Sequence, residues 1–179
     1  TSMLVRSTRA LSTIDSGLAR DRLLIVTIDA APTGLDSDRL AQLSRELLER
    51  VRRIPGVTQA SFSENGIFSG TESFTNLQVQ GFTPRTEADT NSNYDRVGPR
   101  YFKAIGARLV EGRDIAETDN EHAPPVAVMN QTMASFFFPK GQAVGHRVRV
   151  DSTTYEVVGV VADIRDHELR QAPVRRPVP

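Results

Sequence analysis

Two short stretches of this sequence hold side chains that could do chemistry. The first is GIFSG, residues 66–70, which places a serine between two glycines. In the G-x-S-x-G turn of α/β-hydrolases the serine stands at the centre, between a strand and a helix. Ser69 stands one place late and no long helix follows it, so we assign it no catalytic role. A small hydrolase that uses Ser69 is the least favoured alternative.

The second stretch is DIRDHE, which brings Asp163, Asp166 and His167 close together. Such a group could bind a cation or serve a hydrolase, although a solvated turn after a strand is the favoured interpretation. The other two histidines, His122 and His146, fall in separate segments, and no element carries metal-ligand spacing. The sequence therefore predicts no metal site.

Composition excludes several classes of function. The chain has 179 residues, with 22 Lys and Arg against 22 Asp and Glu. A net charge of zero argues against a nucleic-acid partner, because such affinity rests on neutralising phosphates. There is no cysteine, hence no disulfide framework and no thiolate metal site. Gly141 and Gly145 lack the lysine and the following helix of a phosphate-binding loop, so no cofactor is predicted.

The elements that would position these groups begin with a β-α-β pattern. RLLIVTID, residues 22–29, is a β-branched strand, and VTQASFS, residues 57–63, alternates as a second strand. Between them lies a helix that Asp36 or Ser37 can cap. Its apolar stripe consists of Leu40, Leu43, Leu47, Val51 and Ile54. The spacing predicts two strands joined by a crossover helix.

A second, shorter β-α-β pattern follows after a polar loop. NYDRVGP predicts a strand, PRYFKAIG a short helix that stops at Gly106, and ARLVEGRDI another strand. TNLQVQG, before that loop, predicts one more strand. Later, PVAVM predicts a buried strand, Asn130 caps the helix QTMASFFF, and Pro139 ends it. HRVRV and YEVVGVVADI alternate around DSTT as a hairpin.

Three consecutive phenylalanines close this last helix. Met133, Phe136 and Phe137 share one helix face, so packing in the core is the favoured interpretation. Phe138 falls outside that stripe and is predicted to pack under the loop after Pro139. An exposed edge that binds a partner is the alternative.

Four segments, in order, resemble the periplasmic core domain of MacB/FtsX-like ABC transporter permeases. They are RELLERVRRIPGVTQASFS, YDRVGPRYFKAIGARLVEGRDI, PPVAVMNQTMASFFFPKGQAVGHRV and YEVVGVVADIRDHELRQAP. The resemblance covers residues 6–179. The variant looks most like the large permeases with duplicated domains found in Acidobacteria and relatives.

The resemblance implies an α+β fold with two lobes. A porter-like lobe of β-α-β units would cover about residues 22–63 and 91–115, and a smaller mixed α/β lobe about residues 124–165. Residues 1–17, which include a helical spacing, would be the remnant of a stalk that follows the first transmembrane helix. Residues 18–179 would form the periplasmic core domain.

The same resemblance implies a mechanical function. The domain would lie on the extracytoplasmic, periplasmic face of the bacterial inner membrane and couple cytoplasmic ATP hydrolysis to conformational change, in export or mechanotransmission. Its partners would be its own transmembrane helices, a second permease half, an ATP-binding cassette subunit and an adaptor or substrate outside. The family offers no catalytic residue in this domain, so the chain is predicted not to be an enzyme. A free-standing soluble binding or adaptor module is the alternative.

Exposure patterns indicate where partners would touch the domain. We expect contacts at Phe68 and Phe74, which flank one loop, and at Phe138 and Lys140, which follow the last helix. Further candidates, on the stalk, are Arg6, Arg9 and Arg20.

Overall fold

A computed structural model of the chain describes residues 18, 22–29, 34, 36–69, 71–164 and 177–178. The described residues form three α-helices, which are α1 (Ser37–Arg52), α2 (Tyr101–Ile105) and α3 (Gln131–Phe137). The strands are β1 (Ser73–Asn76), β2 (Gln78–Val79), β3 (Asn91–Tyr94), β4 (Leu109–Gly112), β5 (Val126–Asn130), β6 (Arg147–Val150), β7 (Thr153–Val161) and β8 (Pro177–Val178). Outside the described residues lie the predicted stalk helix, the arginines Arg6, Arg9 and Arg20, and the pair Asp166 and His167.

The centre of the fold is a six-stranded sheet built around β7. β6 and β7 form the predicted hairpin, with Val150 opposite Thr153 beside the turn. β4 pairs antiparallel with the far end of β7, and β5 pairs with β7 in parallel. β2 continues the sheet beyond β6, and β8 continues it beyond β5. Helices packed on a largely antiparallel sheet confirm the predicted α+β class.

Both faces of this sheet are covered, because each strand sends alternate side chains to opposite faces. On β5, Ala127 and Met129 point to one face and Val128 to the other, and all three are fully buried. The face that carries α3 buries Leu77, Val79, Ala127, Met129, Met133, Phe137, Ala143, Val148, Val150, Val157 and Val160. The face that carries α2 buries Ile67, Tyr101, Phe102, Ile105, Ile115, Val128, Val158 and Val161. The sheet and its two helices thus form one closed body.

Two glycines let β4 approach β7 closely. A Cβ atom on Gly159 would lie 2.1 Å from the carbonyl oxygen of Arg113, and one on Gly112 would lie 2.1 Å from that of Val158. Gly112 also has a φ of 68°, in the left-handed region that other residues rarely adopt. Neither position has room for a side chain, so this strand pairing requires glycine on both strands.

Helix α3 forms as the sequence predicts. The Asn130 side chain accepts a hydrogen bond from the Met133 amide at 3.0 Å, which caps the first turn. Met133 and Phe137 are buried on the sheet, and the rings of Phe137 and Phe82 meet edge to face at 4.8 Å. Phe136 is half-buried beside them. The core interpretation of this helix face is confirmed.

The two predicted β-α-β units do not form among the described residues. Residues 22–29 contain no strand, and residues 57–63 contribute a single bridge, between Ser63 and Val97. The strands of the second unit lie in different sheets, because β3 pairs with β1 and β4 pairs with β7. The strand predicted at residues 22–29 is therefore wrong for the described structure. An extended segment becomes a strand only when a neighbour takes its backbone hydrogen bonds, and no described segment does so here.

Candidate interaction surfaces and related proteins

The loop over residues 64–72 holds Phe68, one of the first pair of predicted contact residues, and its base is fixed by Asp95. The Asp95 carboxylate accepts hydrogen bonds from the Asn65 amide, at 2.9 Å, and from the Ser63 hydroxyl. The Asn65 side chain donates to the Tyr94 carbonyl at 2.9 Å. These bonds tie both the chain before the loop and the loop itself to the end of β3 and to Asp95 just after it.

Two phenylalanines are exposed on this loop and next to it. Phe68 has a φ of 58°, a left-handed backbone that bulky residues rarely adopt, and 46% of its surface is exposed. Phe74 lies on β1 and is 69% exposed. A strained backbone beside exposed rings is typical of binding loops, because only surrounding structure or a partner offsets its cost. The contact roles of Phe68 and Phe74 stay predictions.

Ser69 closes the same loop. Its hydroxyl donates to the Asn65 carbonyl and its oxygen accepts from the Thr71 amide at 3.0 Å. A third contact, with the Gly66 carbonyl at 3.1 Å, is again with the backbone. These are the bonds of a turn, whereas a nucleophile requires a general base within hydrogen-bond reach.

Asp163 serves the start of α3. Its carboxylate accepts from the Thr132 amide at 3.0 Å and from the Thr132 hydroxyl at 2.8 Å. With Asn130 it satisfies two of the free amides of the first helical turn. Within the described part of the chain, no group of three or more His, Asp or Glu side chains is arranged to hold a metal ion.

The second pair of predicted contact residues follows α3. Phe138 is half-buried and packs on the core, with its ring centroid 4.6 Å from that of His146. This is the predicted packing of Phe138 under the loop after Pro139. Lys140 is exposed at the tip of that loop. Lys140 is therefore exposed to a partner, whereas Phe138 is half-buried, and both contact roles stay predictions.

A different surface is left open around residues 22–54. Leu24 is 85% exposed, and Ile25, Val26 and Ile28 are exposed as well, although Leu23 packs on the sheet face that carries α2. Leu43, Leu47 and Ile54, all on the apolar stripe of the α1 segment, are also exposed. Among the described residues, neither apolar cluster includes a member of α1. Four apolar residues of the segment 22–29 and three of the stripe thus lie exposed beside a closed body, while Leu40 and Val51 of the stripe are half-buried.

An acidic loop over residues 116–121 lies beside α1. Asp119 is its anchor, since its carboxylate accepts two hydrogen bonds from Arg113, at 2.6 and 2.9 Å, and one from the Ala116 amide at 2.8 Å. The Arg113 hydrogen bond, with that of Ala116, lowers the pKa of the Asp119 carboxyl below its usual value. The loop is therefore a fixed turn with ionised Asp119 at its centre near neutral pH.

The outward carboxylates of this loop, Glu117 and Glu121, meet Arg52 and Arg45 of α1. This contact was not predicted from the sequence. The signal was present, because the two arginines stand two helical turns apart on one face, and the two glutamates four residues apart, so their charges match in pairs. What the sequence lacks is any sign that the helix and the loop are neighbours in space.

Comparison with known families identifies the chain. A model of the MacB-like periplasmic core domain matches residues 1–172. The chain belongs to this family. The resemblance seen in the four segments is confirmed, and with it the assignment to the extracytoplasmic part of an ABC transporter permease.

Curated relatives of this MacB-like domain are whole transporter proteins. The macrolide export ATP-binding/permease protein MacB of Aggregatibacter actinomycetemcomitans is 26% identical over 143 residues, which are 66% of this chain and 22% of that protein. The uncharacterized ABC transporter permease YvrN of Bacillus subtilis (strain 168) is 28% identical over 82 residues, or 44% of this chain and 20% of that protein. The domain thus spans about a fifth of the relatives that it matches.

Solved structures support the fold of the domain. The periplasmic region of MacB from Actinobacillus actinomycetemcomitans matches with a TM-score of 0.52 at 19% identity, over 75% of this chain and 53% of that structure. The extracellular domain of the transporter YknZ from Gram-positive bacteria matches with a TM-score of 0.50 at 14% identity, over 75% and 60%. In the described part of this MacB-like domain, no helix is long and apolar enough to cross a membrane.

Proposed function

We propose that this domain transmits movement outside the membrane in an ABC transporter permease that is driven by ATP hydrolysis in a cytoplasmic cassette. The relatives support a transporter, since several carry the name of an ATP-binding/permease protein. The observation that carries the proposal is the contrast between one closed body and an uncovered apolar region beside it. A part that moves against its neighbours needs both features.

The closed body is suited to move as a unit. Its central strands are buried on both faces, and packed interiors change position as wholes because they resist continuous deformation. Movement of the attached chain would therefore turn the whole sheet with α2 and α3. The polar network around Asp163 and Asn130 would keep α3 fixed to β5 during that movement.

The open region is suited to join the rest of the permease. Exposed apolar side chains such as Leu24 and Leu47 are costly in water and favour burial against other protein. We propose that further segments of the same permease cover residues 22–54 and complete the porter-like lobe. Residues 124–165 would belong to the second lobe, and residues 1–17 would lead to the membrane. Because α2 and β4 pack on the second lobe's sheet, we place the moving boundary before residue 63.

The exposed loop would meet an adaptor or a substrate outside the cell membrane. Phe68, Phe74 and Lys140 are the exposed members of the predicted contact set. A partner that docks on the two rings would desolvate apolar area already presented on a fixed loop. Because the loop is already ordered, such binding loses little conformational entropy of the chain.

The test measures distances in the intact permease, reconstituted with its ATP-binding cassette in lipid. The domain itself has no cysteine, so once any cysteine in the rest of the permease has been replaced, spin labels can be placed at Ala41→Cys on α1 and Thr154→Cys on β7. We expect the distance between the labels to change between the nucleotide-free state and a state trapped with ATP. Transmission through this boundary predicts a new distance peak.

A matched pair within the closed body controls for label motion. Labels at Gln131→Cys, the first residue of α3, and Thr154→Cys should keep one distance in both states. If both pairs keep their distances while the transporter hydrolyses ATP, the domain does not transmit movement. That result would favour a passive binding module instead.

A further inference from the structure

Helix α1 is held to the closed body by two ion pairs with the acidic loop. Arg45 Nη1 lies 3.0 Å from Glu121 Oε2, and Arg52 Nη1 lies 2.8 Å from Glu117 Oε1. Arg52 also donates to the Ala60 carbonyl at 3.0 Å, so its guanidinium joins the helix, the segment after it and the loop. The two pairs are two helical turns apart and define one line of contact along α1.

Glu117 extends this contact to α2. Its Oε1 lies 3.8 Å from Nε of Arg100, the residue just before α2, and the Arg100 amide donates to the Ile115 carbonyl at 2.8 Å. One carboxylate therefore stands between cations of two helices. Loss of Glu117 would leave Arg52 and Arg100 facing each other without a neutralising group.

The supports on either side of these pairs are rigid, while the pairs themselves are exposed. On one side is a continuous helix, and on the other a turn fixed by the Arg113–Asp119 bonds. The side chains of Arg45 and Glu121 are 55% and 59% exposed, and those of Arg52 and Glu117 are 30% and 47% exposed, so water and salt reach the first pair freely and the second pair in part. Exposed ion pairs between rigid supports break at low cost and form again in the same geometry.

Members of the apolar stripe of α1 differ in burial, since Leu40 and Val51 are half-buried. Leu43 and Leu47 are exposed, and neither apolar cluster contains them. The helix therefore turns Arg45 and Arg52 to the acidic loop and leaves Leu43 and Leu47 available to other protein. Charge sets how α1 meets the closed body.

We propose that Arg45–Glu121 and Arg52–Glu117 form an electrostatic latch between α1 and the sheet body. The latch is closed when both pairs are made and opens when they are screened or neutralised, which lets α1 pivot about the chain near Ala60. The latch rests on the geometry of the domain. Its use as a step in transport rests on the proposed function.

The experiment uses the 179-residue chain with spin labels at Ala41→Cys and Thr154→Cys, and pulsed dipolar spectroscopy as readout. At low salt we expect one narrow distance peak. At about 1 M KCl, where charges are screened beyond about 3 Å, the peak should broaden or shift. For each pair lost, the closed population should fall about two- to fivefold, the range that exposed ion pairs support.

Variants separate the latch from general effects of charge. Glu117→Gln with Glu121→Gln should give the broad distribution at low salt, whereas Glu49→Gln, which removes a carboxylate of α1 without a contact to the loop, should keep the narrow one. Arg45→Glu alone should open the latch, and Arg45→Glu with Glu121→Arg should close it again. Restoration by the charge swap also excludes simple unfolding as the cause.

The latch is contradicted if the distance peak stays unchanged both at high salt and in Glu117→Gln with Glu121→Gln. It is also contradicted if the charge swap fails to restore the narrow peak. The intact permease distinguishes this from the proposed function. A latch that opens with salt while ATP moves no label would contradict the proposed transmission alone. An ATP-driven distance change that survives Glu117→Gln with Glu121→Gln at full amplitude and full ATP affinity would count against the latch as a step in transport and would leave the proposed transmission standing.

Discussion

Two regions of this domain have equally apolar sequences and end in opposite states. YEVVGVVADI forms most of β7, which is paired along both edges and buried on both faces. RLLIVTID, residues 22–29, is exposed and unpaired among the described residues. Since both runs have high strand propensity, propensity does not decide between them. A partner does: β7 finds β5 and β6 within the chain, whereas residues 22–29 require protein that the described structure does not supply.

The same difference separates the two longer helices. α3 inserts Met133 and Phe137 into the sheet, while α1 leaves Leu43 and Leu47 exposed and faces the body with arginines. Both helices begin with a good cap, Asn130 or Asp36. Local sequence therefore suffices to form each helix, and only tertiary burial distinguishes a fixed helix from one that is free to pivot.

The largest expected effect compares a core position of α3 with a position on the open face of α1. Met133→Ala removes a fully buried side chain and should lower the free energy of unfolding by about 2–5 kcal/mol. Leu47→Ala should cost less than about 1 kcal/mol, because the leucine is exposed and lacks a partner in the clusters. Urea denaturation of the two variants measures both. Equal losses would mean that the two regions are packed alike.

A smaller loss of stability is expected from a substitution where β4 pairs with β7. Gly159→Ala would place a Cβ atom 2.1 Å from the Arg113 carbonyl oxygen, so the strands must separate. We expect a loss of about 1–3 kcal/mol, the usual cost of overpacking. Gly141→Ala is the matched control, because nothing lies within 4 Å of its added Cβ. If thermal denaturation gives both variants the same midpoint, β4 and β7 are not packed too closely for a methyl group at position 159.

Removal of the helix caps Asn130 and Asp36 breaks the same kind of hydrogen bond in both helices. We expect the two losses of stability to differ in how much of the domain they affect. Asn130→Ala should cost about 1 kcal/mol of global stability, because α3 is part of the closed body. Asp36→Ala removes the bond from the Arg39 amide at 2.9 Å, and the loss should be confined to fraying of α1. Hydrogen exchange resolved by residue distinguishes the two. A global loss for Asp36→Ala would show that α1 unfolds together with the sheet.

The smallest effect is the pH dependence that comes from Asp119. Because its pKa is lower in the folded chain than in the unfolded chain, the unfolded state binds the proton more tightly. The stabilisation is therefore fully present above the unfolded value, about 3.9, and is lost as the pH falls through the lowered folded value. Asp119→Asn should be less stable than the parent chain at neutral pH and approach it in acid. If the difference in stability between Asp119→Asn and the parent chain stays constant across pH 2–7, roughly the carboxyl range, the ionisation of Asp119 does not stabilise the fold.

Local elements were predictable from this sequence because their signals are local. The caps Asp36 and Asn130, the stop at Gly106 and the hairpin around residues 151–152 each depend on neighbours in the chain. The core role of Met133 and Phe137 follows from helical spacing in the same way. The family resemblance rests on these elements in order, which is why it was readable.

Pairing and contact were not predictable, because they join residues far apart. TNLQVQG was predicted as one strand, whereas the structure divides it between the end of β1, which pairs with β3, and β2, which pairs with β6. The ion pair of Arg45 with Glu121 spans 76 positions, and that of Arg52 with Glu117 spans 65. The charged face of a helix is equally consistent with exposure to solvent and with ion pairs to another segment, so the sequence pattern does not decide between them. The expected strand at residues 22–29 failed for the same reason, since its sequence specifies an apolar surface and leaves the partner unspecified.

The central claim is that residues 22–54 are an open joint which the rest of a permease covers, beside a body that is complete in itself. Hydrogen exchange of the 179-residue chain and of the intact permease, compared peptide by peptide, tests it most directly. We expect fast exchange at residues 22–54 in the chain, strong protection of the same peptides in the intact protein, and unchanged protection of β5 and β7. Equal exchange of residues 22–54 in the two proteins would contradict it.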